Sequence, residues 1–84
     1  MRTDDIKKLI HEGYFVIRPV DTPKISIMVA ICNDWPSGDI DWIYWHYPTT
    51  PGYNDPNFAE FPNKEQRDEA INTMLNNNAK IILD

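Results

Sequence analysis

The sequence predicts an α+β fold: a three- to four-stranded, mainly antiparallel sheet with two helices, in the order α-β-β-β-α-β. Three observations carry this. Apolar residues recur at helical spacing near both ends of the chain, at Ile6, Leu9 and Ile10 and again at Ala70, Ile71, Met74 and Leu75. Between them, Ile25, Ile27, Val29 and Ile31 alternate with smaller residues at the period of a strand. Clusters of Gly, Pro, Asn and Asp punctuate the segments. Eighty-four residues make one domain, 1–84, because two cores would each be too small to offset chain entropy.

The elements follow in order. Thr3 is placed to cap a first helix, Asp4 and Asp5 suit the positive end of its dipole, and Gly13 stops it. His11 falls near the negative end, where partial positive charge is favoured. Tyr14 to Val20 is β-branched and aromatic and reads as a strand ended by Asp21-Thr22-Pro23. Ile25 to Cys32 is a second, central strand. Asn33 to Gly38 has loop composition, and Asp39 to Tyr47 forms a third strand with Ile40, Trp42, Tyr44 and His46 on one face and Asp41, Ile43, Trp45 and Tyr47 on the other. A small sheet covered by helices on one face leaves one of these sets outward. Pro48 to Pro62, with four prolines and Gly52, lacks any period and reads as a long functional loop. Asn63 with Gln66 makes a capping-box pattern for the second helix, Asn76 to Asn78 tolerate the left-handed backbone at its end, and Ala79 to Leu83 adds a short strand.

Residue types are segregated along the chain. No Lys or Arg occurs between Lys24 and Lys64, yet that stretch holds Asp34, Asp39, Asp41, Asp55 and Glu60. It also holds Trp35, Trp42, Tyr44, Trp45, Tyr47, Tyr53, Phe58 and Phe61, eight of the ten aromatic rings. At about 150 to 250 Å² per ring, such a belt matches one side of a standard protein interface. The aliphatic residues suffice for a core without it. Carboxylates steer encounter and rings supply rigid contact area, so Asp34, Trp35, Asp39, Asp41, Trp45, Tyr47, Tyr53, Asp55 and Glu60 are the candidate partner-binding residues.

Other chemistries find little support. Asp39 and Asp41 share a strand face, but His46 points to the other, so no metal site is expected. Cys32, the only cysteine, has Ala30 and Met28 as its same-face neighbours and reads as a buried structural thiol; no internal disulfide or multi-thiolate zinc site can form. Gly13, Gly38 and Gly52 fit no phosphate-cradling loop, and no constellation marks an enzyme. A net charge of −5 disfavours direct nucleic-acid or anionic-membrane binding, although Lys7, Lys8, Arg18 and Lys24 form a potential local basic patch. The sequence carries no membrane-length apolar run, no signal-peptide core and no cofactor motif, and a cytoplasmic location is expected.

The opening Asp4-Asp5-Ile6-Lys7-Lys8-Leu9-Ile10 helix, leading through Gly13 into Tyr14-Phe15-Val16, resembles the amino-terminal helix-to-strand arrangement among the small acidic anti-CRISPR proteins by which phages disarm host defences. The proline- and aromatic-rich loop departs from that pattern, and no functional residue carries over by motif. The resemblance implies a non-catalytic inhibitor, active in the host cytoplasm, that occupies the groove of a basic nucleic-acid-processing protein such as a CRISPR effector, with carboxylates standing where phosphates would. Alternatives from the residues alone are a self-associating subunit, a homodimer burying the third strand, and a module that binds a small flat ligand on its rings.

Overall fold

The computed structural model describes residues 1–33, 38–45 and 60–84. Asp34, Trp35, His46, Tyr47, Tyr53 and Asp55 lie outside the described residues. The elements are α1 (Thr3–His11), β1 (Phe15–Val20), β2 (Ser26–Cys32), β3 (Ile40–Tyr44), α2 (Lys64–Asn76) and β4 (Ile81–Leu83), in the expected order. The strands form one sheet, β3-β2-β1-β4. β1 and β3 both run antiparallel to β2, whereas β4 lies parallel to β1, so the sheet is mixed.

Both helices enter their strands through the same joint. Gly13 has φ 93°, its N–H donates to the Ile10 carbonyl, and the Tyr14 N–H donates to Leu9; Asn78 has φ 58°, with the equivalent bonds running from Asn78 to Leu75 and from Ala79 to Met74. These are paired Schellman bonds, which satisfy the last carbonyls and need a residue tolerant of positive φ. The amino-terminal ends differ. Asn63 caps α2 as expected, its side chain accepting from the Gln66 N–H at 2.8 Å. Thr3 is instead the first helical residue of α1, with Arg2 at the cap position and no side-chain cap bond.

The helices do not share a face of the sheet, which corrects the expectation of one-sided cover. Ile6, Leu9 and Ile10 of α1 pack with Val16, Ala30 and Ile82. Ala70, Ile71 and Met74 of α2 pack with Ile17, Ile27, Val29 and Ile81. Successive strand residues point to opposite sides, and the adjacent Val16 and Ile17 are both fully buried, so β1 requires apolar cover above and below. Phe61 joins the α2-side core and its N–H donates to the Ile25 carbonyl, which makes one ring of the aromatic belt a core residue.

The buried stripe of α2 is Arg67, Ala70, Ile71 and Met74, spaced i, i+3, i+4, i+7; Leu75, expected to belong to it, is 43% exposed. Arg67 is buried because its guanidinium finds acceptors: Nη1 donates to the Val20 carbonyl at 2.8 Å and to Asp21, and Nε donates to Asp68 at 3.0 Å. Lys64 adds a 3.5 Å pair with Asp21. These bonds tie the start of α2 to the end of β1 and so fix how much of the sheet the helix covers.

Candidate functional site

α2 leaves part of its own sheet face open. Phe15 is 49% and Ile43 45% exposed, Ile31 and Trp45 are half-buried, and all four point to the α2 side by strand alternation. The Phe15 and Trp45 rings meet across β2, with centroids 5.3 Å apart and planes tilted by 32°. Below them, the β1–β2 register ends at Ile17↔Val29, so the strands part before Phe15 can face Ile31. The result is an apolar groove of about 530 Å³ between the parted strands, with Tyr14 and Phe15 on one side, Val29 to Cys32 on the other, Ile43 and Trp45 on the α2-side face, and Ile10 and Gly13 at the end of α1.

Its chemistry is set by what lines it. Among the described residues, no charged side chain does. At the β3 rim, Asp41 stands directly opposite the lining residue Ile31, and its Oδ2 accepts from Asn33 Nδ2 at 2.7 Å. At the β1 rim, the Lys80 ammonium lies 5.0 Å from the Tyr14 ring centroid and donates to the Glu12 carbonyl at 3.4 Å. Cys32, expected to be a buried thiol, is half-buried at the groove, with Sγ 3.9 Å from the carbonyl oxygens of Asn33 and Gly38.

The opposite face uses its rings differently. The Arg18 guanidinium stacks 3.7 Å from the Trp42 centroid and donates to Asp84 at 2.6 Å, and Lys24 lies 4.4 Å from the Tyr44 centroid. The hydrogen bond from Arg18 holds the Asp84 carboxyl below its usual range, and that from Arg67 does the same for Asp21. Two members of the anticipated basic patch are thus laid over aromatic rings.

Of the sequence-chosen residues, the structure brings Asp41 and Trp45 to one face. Asp39 is exposed just before β3. Glu60 is exposed and precedes Phe61, whose N–H donates to the Ile25 carbonyl, two residues from the Ile27 carbonyl that Trp45 uses and six from Ile31 opposite Asp41. Trp45 is more than a surface anchor, since it also packs against the α2-side core. Phe15, Ile43 and Tyr14 were missed. Their apolar character marks strand positions, and only the placement of α2 determines which of them stay uncovered.

No family model, characterised protein or solved structure matches this chain. Among the described residues, no group of three or more acidic, His or Cys side chains is placed to hold a metal ion, and no helix is long and apolar enough to cross a membrane.

Proposed function

We propose that this chain is a non-catalytic docking protein that binds and blocks a basic, nucleic-acid-processing protein. The single observation behind this reading is the uncovered part of the α2-side face, where half-exposed Phe15 and Ile43 and the half-buried Trp45 share a face with the exposed Asp41, and Asp39 is exposed two residues before it. Clustered apolar area with carboxylate along one rim is the composition of an interface centre with a steering edge. Arg18 and Lys24 sit over rings of the opposite face, Lys64 and Arg67 pair with Asp21, and Lys80 lies at the β1 rim, so the acidic character belongs to the β3 rim. An inhibitor acting by occupation needs no catalytic group, in keeping with the anti-CRISPR resemblance of the first helix and strand.

The test is affinity capture from a bacterial lysate at low and high salt, followed by kinetics with the purified partner. The expected partner is a basic nucleic-acid-binding protein whose association slows with salt and with Asp39→Asn/Asp41→Asn, whereas Ile43→Asp speeds dissociation. A stable homodimer in dilute solution that buries β3 would overturn the proposal. The edge geometry permits such pairing: the Trp45 N–H bonds to the Ile27 carbonyl, so by alternation Ile40, Trp42 and Tyr44 direct their backbone groups away from β2.

A second reading, a small-ligand module, is favoured by the ring-lined groove itself. The two readings separate on the carboxylates, because a neutral flat ligand has no need of Asp39 or Asp41.

A further inference from the structure

We infer that the outer edge of β3 pairs with an extended segment of the partner that carries Lys or Arg at every second position and joins the sheet as a further strand. This deepens the docking proposal and rests on it for the partner being a basic protein. The backbone supplies the first observation. The Trp45 N–H bonds to the Ile27 carbonyl, and the register runs unbroken from Met28↔Tyr44 to Cys32↔Ile40. By alternation Ile43 and Asp41 direct their N–H and carbonyl groups to β2, while those of Ile40, Trp42 and Tyr44 point outward. β3 ends the strand order, and among the described residues no strand lies beyond it. Exposed edges are commonly shielded by a proline, a bulge or lysines; β3, Ile-Asp-Trp-Ile-Tyr, has none of these and carries Asp41 as its one charge. The opposite edge offers less. β4 is three residues long, and its Ile81 N–H is already bonded to the Ala79 carbonyl at 2.8 Å.

The two faces of β3 decide what can be added. On the α2 side, Asp41 is exposed and its carboxylate is held by Asn33 at 2.7 Å. On the other side, Arg18 lies over the Trp42 ring and Lys24 over the Tyr44 ring. An added strand alternates between the same two faces, so its cations fit opposite Asp41 and its uncharged residues beside Trp42 and Tyr44. Asp41 occupies a non-hydrogen-bonded position of the outer edge, where facing side chains approach most closely. A second copy of this chain fits worse. In the antiparallel register that uses every outward residue of both copies, Trp42 faces Trp42 and the two Asp41 residues become diagonal neighbours roughly 7 to 8 Å apart. Arg18 and Lys24 of both copies then share the other face, so each face sets like charges together.

Amide hydrogen exchange of the isotope-labelled full chain reads such pairing directly. In the dilute free chain, the Asp41 and Ile43 amides should exchange slowly and those of Ile40, Trp42 and Tyr44 quickly. The probes are acetylated, amidated octapeptides in which Thr alternates with Lys, Gln or Glu. With the Lys peptide at about ten times its dissociation constant, exchange at Ile40, Trp42 and Tyr44 should slow about tenfold. Its affinity should exceed that of the Gln peptide by about two- to fivefold, the range of a cross-strand charge pair, with the Glu peptide weakest. N-methylation of the Thr residues, which removes the donors facing β3, should abolish protection, whereas N-methylation of the Lys residues should not. Asp41→Asn should erase the preference for Lys over Gln while the Gln peptide still protects. Four results overturn the inference: slow exchange of Ile40, Trp42 and Tyr44 in the dilute free chain, no protection by any peptide at millimolar concentration, protection that survives N-methylation of Thr, or a Lys preference unchanged in Asp41→Asn. The last three leave partner capture and its salt dependence standing, and the first removes the docking proposal as well only where the chain is a dimer. Conversely, Asp41-dependent protection with no basic partner ever captured upholds the strand edge and removes the inhibitor reading.

Discussion

Replacing Arg67 by Met tests whether the position of α2, and with it the edge of the open face, depends on one buried guanidinium. Arg67 is 5% exposed and donates to three acceptors. Asp21 and Asp68, with side chains 49% and 58% exposed, are readily rehydrated when their partner leaves, so those pairs contribute little. The Val20 carbonyl, half-buried beneath the helix start, is not so easily served. A hydrogen bond from a charged donor is worth about 1.5 to 3 kcal/mol, and Met preserves most of the stem packing, so the loss should be about 2 kcal/mol. Against a total of order 5 kcal/mol, this lowers the melting temperature by roughly 8 to 16 °C.

Urea unfolding followed by tryptophan fluorescence measures the loss at constant m-value. The Asp21 carboxyl is held below its ordinary 3.8 by the hydrogen bond from Arg67. A depressed pKa adds stability above the unfolded value and loses it as pH falls through the folded one, so the gap between wild type and Arg67→Met should narrow below pH 3.8. A variant within about 0.5 kcal/mol of wild type at pH 7, or a gap that widens in acid, would refute this account of Arg67.

Three further outcomes are expected. Gly13→Ala should cost about 1 to 2 kcal/mol in thermal unfolding, because a Cβ there meets only Lys80 Nζ at 3.8 Å and the penalty comes from φ 93° rather than from crowding. Met74→Ala should cost about 2 to 5 kcal/mol while the neighbouring Leu75→Gln stays within about 0.5, which separates the buried stripe from its exposed flank by chemical denaturation. Arg18→Met should cost less than about 1 kcal/mol near neutral pH, since the Arg18 side chain is 40% exposed, and the difference should fade below pH 3.8 as Asp84 protonates; circular dichroism melts at both pH values measure it.

Much of the fold was legible because its signals are local. The Asn63–Gln66 cap, the helix stops at Gly13 and Asn78, and the alternation along β2 and β3 each depend on residues a few positions apart. What was not legible is relational. Apolar period identifies a face of an element but not the side of the sheet it meets, although the consecutive buried pairs Val16-Ile17 and Val29-Ala30 were a usable sign of two-sided cover. Arg67 and Leu75 compete for the same helical stripe, and the acceptors that decide for Arg67 lie 46 and 47 positions away. The site was half readable for the same reason. Asp41 and Trp45 share a face by simple parity, while Phe15 reaches them only through the sheet order β3-β2-β1.

The two-sided burial of β1 also sets a gradient of local stability. Amide protons at its centre, around Ile17, are shielded by a helix above, a helix below and a strand on either side, so they should exchange only through global opening. Where the β1–β2 ladder stops, around Ala30 to Cys32, small fluctuations can admit solvent without disturbing that centre. A centre paired on both edges and an end paired on one are thus neighbours in the same two strands, since Ala30 to Cys32 keep their ladder with β3 where that with β1 has stopped.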